Sequence, residues 1–98
     1  MRVQLLGYDM NGEALSITCR HVMDGEPIVE VAHDVDGVVQ ALCAVHDHGF
    51  DDARTVHLHH LAGRLQALDL PRIEPGQYAQ LTEGGWSVMD MPPEDEDA

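Results

Sequence analysis

Seven histidines, two cysteines and eighteen carboxylates are the side chains of this 98-residue chain that can bind metal, carry protons or attack an electrophile. The histidines gather in two knots, His46 with His48 and His57 with His59 and His60. Zinc requires three or four N, S or O donors converging as a tetrahedron, and a helix normally offers two of them four residues apart. Neither knot has that spacing. Two residues apart on a helix, imidazoles diverge by about 200°; on a strand, His57 and His59 would share a face. His57, His60 and Arg64 fall on one edge of an expected helix, where a guanidinium beside two imidazoles opposes a dication. They read as a solvent-facing flank, and His46, inside an apolar stripe, reads as a core histidine. The expectation is no metal site and no cofactor, with a small histidine-rich zinc protein as the alternative.

The usual catalytic signatures are missing: there is no GxSxG elbow, P-loop, GxGxxG, HExxH or CxxC. Cys19 and Cys43 belong to no motif and read as buried thiols, with a nucleophilic Cys–His pair as a chance proximity. Asp34-Val-Asp36-Gly37 and Asp47 to Asp52 look like pieces of calcium loops but lack the twelve-residue ladder, so they read as a helix cap and a turn. No catalytic residue is assigned, and the expectation is a protein that is not an enzyme.

Charge is the stronger signal. Eighteen acids face five basic residues, all arginine, for a formal net charge of -13. The run Glu94, Asp95, Glu96, Asp97 does not explain it, because the first 93 residues still hold 14 acids against the 5 bases. Such a surface repels phosphate and anionic lipid, which argues against nucleic acid and membranes as direct partners. It suits a basic protein partner, with steered association at low salt. The implied function is a non-catalytic acidic binding protein that inhibits or neutralises a basic, nucleic-acid-handling protein, a nuclease or nucleic-acid-binding complex, by occupying its positive surface. Phage anti-CRISPR and anti-restriction inhibitors, and immunity proteins of nuclease toxins, have this size and charge. The expected contact residues are Asp24, Glu26, Glu30, Asp34, Asp36, Asp47, Asp51 and Asp52, and histidine protonation is expected to weaken binding between about pH 7.5 and 5.5.

The elements that would carry these groups read as an α+β fold: an N-terminal three-stranded antiparallel meander, two amphipathic helices and a C-terminal β-hairpin. Asn11-Gly12 and Asp24-Gly25 are hairpin turn signals. Centring the first turn on Asn11-Gly12 pairs Tyr8 with Leu15 and Leu6 with Ile17. Val35, Val38, Val39, Leu42 and Val45 recur at helical spacing, with Asp34 as cap and Gly49 as stop. Leu58, Leu61, Ala62, Leu65 and Leu68 form a second stripe ending at Pro71, although Thr55 to His59 alone alternates like a short strand. Tyr78 to Thr82 and Trp86 to Met89 flank Glu83-Gly84-Gly85 as the hairpin. Residues 1–91 read as one domain and 92–98 as a disordered acidic tail. No run reaches the ~18 apolar residues of a membrane span and no secretory core opens the chain, so the expected location is the cytoplasm. A homodimer is compatible with this composition.

Overall fold

The computed structural model describes residues 1–44 and 53–91. They form a mainly β protein: β1 (Arg2–Leu5), β2 (Tyr8–Asn11), β3 (Leu15–Cys19), α1 (Arg20–Met23), β4 (Glu30–His33), β5 (Val39–Leu42), β6 (Ala53–His57), α2 (His59–Ala67), β7 (Gln77–Thr82) and β8 (Gly85–Asp90). β1 and β2 make a separate hairpin, and the other six strands form one sheet in the order β6-β3-β5-β4-β7-β8. Every adjacent pair is antiparallel except β3 and β5, which run parallel.

This corrects the three-stranded meander. The first hairpin turns at Leu6-Gly7, not Asn11-Gly12, and pairs Leu5 with Tyr8. Both turn residues have positive φ, 59° at Leu6 and 88° at Gly7, as a type I′ turn requires. A leucine in that region is strained, and its burial in the core offsets the strain. Asn11-Gly12 instead starts a corner: the Asn11 carbonyl accepts the Ala14 N–H at 3.0 Å, and its Oδ1 accepts the Glu13 N–H at 3.0 Å. The strand beyond that corner therefore leaves the hairpin and enters the large sheet.

On β3 the polarity is inverted. Ser16 and Thr18 are buried, their hydroxyls donating to the Val39 and Ala41 carbonyls at 2.5 and 2.6 Å, while Leu15 and Ile17 lie on the open side. The expected Tyr8–Leu15 and Leu6–Ile17 pairs do not form. Asp24-Gly25 closes the single-turn helix α1, with Gly25 at φ 111°, so the segment that follows is delivered to β5 and β7 and not to β3.

The helix expected from Asp34 to Gly49 is also overturned within the described residues. Asp34 to Val38 make the β4–β5 turn, with Gly37 at φ 93° and the Asp34 N–H donating to Val38 at 2.8 Å. Val39 and Ala41 then alternate with half-buried Gln40 and Leu42 as a strand. Gly37 and neighbouring β-branched valines oppose a helix and favour a pleated strand, and Val35, first in the apolar stripe, is 75% exposed. Residues 45–49 of that expected helix, including His46, lie outside the described residues.

Where a helix is expected over the second stripe, Thr55 to His57 belong to a strand, and only from His59 does α2 follow, with Leu61, Ala62 and Leu65 buried. Leu58 just before α2 joins them in one core with Val22, Ile28, Val31, Val39, Ala41, Ile73 and Ala79. Helix and β1–β2 hairpin thus close one side of the sheet. β7 and β8 pair from Gln77–Asp90 to Thr82–Gly85, over the segment where the closing hairpin is expected. Among the described residues the buried histidine is His33, whose Nδ1–H donates to the Ile73 carbonyl at 2.8 Å and whose ring meets Tyr8 edge-on. Among the described residues no helix is long and apolar enough to cross a membrane.

Candidate metal centre

Parallel pairing of β3 with β5, with Thr18 opposite Ala41, brings the C-terminal ends of two strands to the same edge of the sheet. Cys19 is the last residue of β3 and Cys43 follows β5, so residues far apart in sequence meet there. Their sulfurs are 3.5 Å apart, and both side chains are buried thiols. The chain turns directly from Cys19 into α1, which places His21 over the pair. One ring nitrogen of His21 and the two sulfurs all lie within 4.8 Å of one another.

The electrostatics shift the Cys19 thiol toward ionisation. Burial raises the Cys19 thiol, but the backbone N–H groups of Val22, Cys43 and His21 and the Cys43 thiol all act on its sulfur and prevail, holding it below its ordinary value. Charged thiolate stabilised by several donors is the form that ligates metal. Tetrahedral zinc at Zn–S of about 2.3 Å places two sulfurs about 3.8 Å apart, a few tenths of an ångström from the separation here. Two soft sulfurs and one imidazole suit zinc(II) or copper(I) over hard cations, and three protein donors leave a fourth position for water or another ligand.

The site is braced from α2. The Arg64 guanidinium donates to the carbonyls of Val22 and Glu26, joining the helix to α1 and to the loop after it. Val22 is thus held at both ends, its carbonyl by Arg64 and its N–H by the Cys19 sulfur. Arg64, expected beside the imidazoles, spends its donors on these two carbonyls.

The acids expected to meet a partner do not all fall together. Asp24 and Glu26 are exposed between α1 and β4, while Asp34 and Asp36 occupy the turn at the opposite end of β4. Glu30 lies on β4 between them and accepts from the Gln80 amide at 3.2 Å. Asp34 accepts the Val35 N–H at 2.7 Å and Asp36 the Val38 N–H at 3.4 Å, so both serve the turn. Asp47, Asp51 and Asp52 lie outside the described residues. The trio Cys19, His21 and Cys43 was not foreseen. Its one local signal is the Cys-x-His spacing at a strand end; the second cysteine arrives through a parallel pairing that no local pattern announces.

His57, His59 and His60 also come together, at the junction of β6 and α2. No family model, curated protein or solved structure matches this chain.

Proposed function

We propose that this protein binds a thiophilic metal ion, zinc(II) foremost, through Cys19, His21 and Cys43. The observation that carries the reading is the convergence of two buried sulfurs and an imidazole nitrogen within 4.8 Å, with backbone donors favouring the Cys19 thiolate. Burial excludes competing water, and the parallel strands preorganise both sulfurs, so little ordering is left for the ion to impose. The excess of carboxylates raises the local concentration of cations around the molecule.

The test is metal content after purification without a polyhistidine tag under reducing conditions. One equivalent of zinc surviving dialysis, and lost on Cys43→Ser, is the expected result. Wild-type protein that retains no zinc and takes up none at micromolar concentration would refute the reading.

A second reading, the acidic protein that occupies the positive surface of a nucleic-acid-handling partner, is favoured by exposed Asp24 and Glu26. Neither joins the ion pairs Arg2–Asp9 and Arg72–Glu74. Co-purification at low salt of a basic protein, released at high salt and lost on charge reversal at residues 24 and 26, would support it. Capture of acidic or neutral proteins alone would count against it.

A further inference from the structure

We propose that His57, His59 and His60 form a second metal site, open to solvent and suited to a borderline divalent cation such as nickel(II), copper(II) or zinc(II). It shares no residue with the thiolate site, so either can fail without the other. Both lie on the β3–β6 ladder but at opposite ends, Cys19 beside Ala53 and Leu15 beside His57, about 13 Å apart along the strands.

The change from strand to helix resolves the spacing that neither element alone can satisfy. β6 ends at His57 and α2 begins at His59, so the chain bends between the first and second imidazoles. One nitrogen from each of the three side chains lies within 4.8 Å of the other two. Ring centroids are 4.2 Å apart for His59–His60, 5.7 Å for His57–His59 and 6.0 Å for His57–His60. A tetrahedral ion with Zn–N near 2.0–2.1 Å needs nitrogens about 3.4 Å apart, inside the 4.8 Å that bounds the three here.

The backbone beneath them is fixed. Leu58, between His57 and His59, is buried in the core. Its N–H donates to the Ala14 carbonyl at 2.8 Å, and the His59 N–H donates to the Gly12 carbonyl at 2.8 Å. Gly12 makes this approach possible: a Cβ there would stand 3.3 Å from the His59 Cβ and 2.9 Å from the Met1 sulfur. The bend that collects the imidazoles is therefore held by the corner that follows β2. His57 and His60 are exposed and His59 half-buried, which leaves room for water on the ion's remaining positions. An all-imidazole set suits nickel, zinc and copper(II), whereas the buried sulfurs select softer ions. Arg64, one turn along α2, has its donors on the Val22 and Glu26 carbonyls.

The experiment follows side-chain ¹⁵N resonances of all seven histidines in the full chain while zinc is added beyond the first equivalent. The second equivalent should shift His57, His59 and His60 together, and His60→Asn should weaken that step at least tenfold while leaving the first unchanged. As an independent arm, the Cys19→Ser/Cys43→Ser protein titrated with nickel(II) should still bind one equivalent, lost on His57→Asn. If that double variant does not fold, the wild-type titration decides alone. Saturable shifts confined to His46 and His48, a response of His57 and His59 indifferent to His60→Asn, or no shift of His57, His59 and His60 by millimolar zinc, whichever equivalent is being added, would overturn the proposal.

Discussion

The two ends of the β3–β6 ladder gather donors by opposite means. At the Cys19 end a non-local pairing joins two strands, sequesters sulfur and wraps it in backbone donors. At the His57 end a local bend from strand to helix collects imidazoles from four consecutive residues and leaves them wet. The first arrangement depends on the packed interior and suits a retained ion; the second depends on one surface corner and suits an exchanging one. Burial and donor softness, more than donor number, separate the two.

Removing one sulfur should have the largest effect. Cys19→Ser or Cys43→Ser is expected to weaken the tight equivalent by about a hundredfold or more, roughly a ligand's share of the about 10–16 kcal/mol of a four-ligand zinc site. The second equivalent should be untouched. Calorimetric titration checks both steps, and equal loss at both would merge the two ends into one site.

Arg64→Met strikes the brace. Loss of two charge-assisted hydrogen bonds to the Val22 and Glu26 carbonyls should lower stability by about 2 kcal/mol, read as a shift of the urea midpoint. It should also loosen the thiolate site about tenfold, as outer-shell changes do. The imidazole step should keep its affinity. Gly12→Ala reverses the pattern: crowding of Met1 and His59 should cost about 1 kcal/mol and weaken the imidazole step several-fold, with the tight equivalent preserved.

The smallest effect is a pH dependence of the metal-free protein. A thiol held below its ordinary value in the folded state is protonated more readily after unfolding. Stability should therefore rise with pH between the lowered and ordinary values, reach its full contribution above the ordinary value, and be lost as pH falls through the lowered one. Chemical denaturation at stepped pH measures the slope, and Cys19→Ser should flatten it.

How far the sequence carries differs between these ends. Leu58, Leu61, Ala62 and Leu65 announce the buried face of α2, and alternation through Thr55 to His59 already allows the strand that precedes it; only their coexistence in adjacent residues escapes a single-period reading. Asp34 to Leu42 misleads because a helical apolar spacing coincides with a turn glycine and β-branched residues, and strand pairing with β3 and β4 prevails. Ser16 and Thr18 conceal β3's buried side, since hydroxyls satisfied by β5 carbonyls replace the apolar face that Leu15 and Ile17 suggest. Leu6-Gly7 carries only half of a turn signal, its leucine held at positive φ by burial. The thiolate site needed all of these at once, because Cys43 reaches Cys19 only when β5 lies parallel to β3.

Cobalt(II) titration of the reduced 98-residue chain, followed in the near ultraviolet, tests thiolate ligation most directly. A sulfur-to-cobalt charge-transfer band that saturates at one equivalent, is displaced by zinc, and in Cys19→Ser is much weaker and needs more cobalt to form is the expected result. Cobalt bound with a spectrum of nitrogen and oxygen donors only, or with the same band in Cys19→Ser, would contradict the assignment of Cys19, His21 and Cys43 as a metal centre.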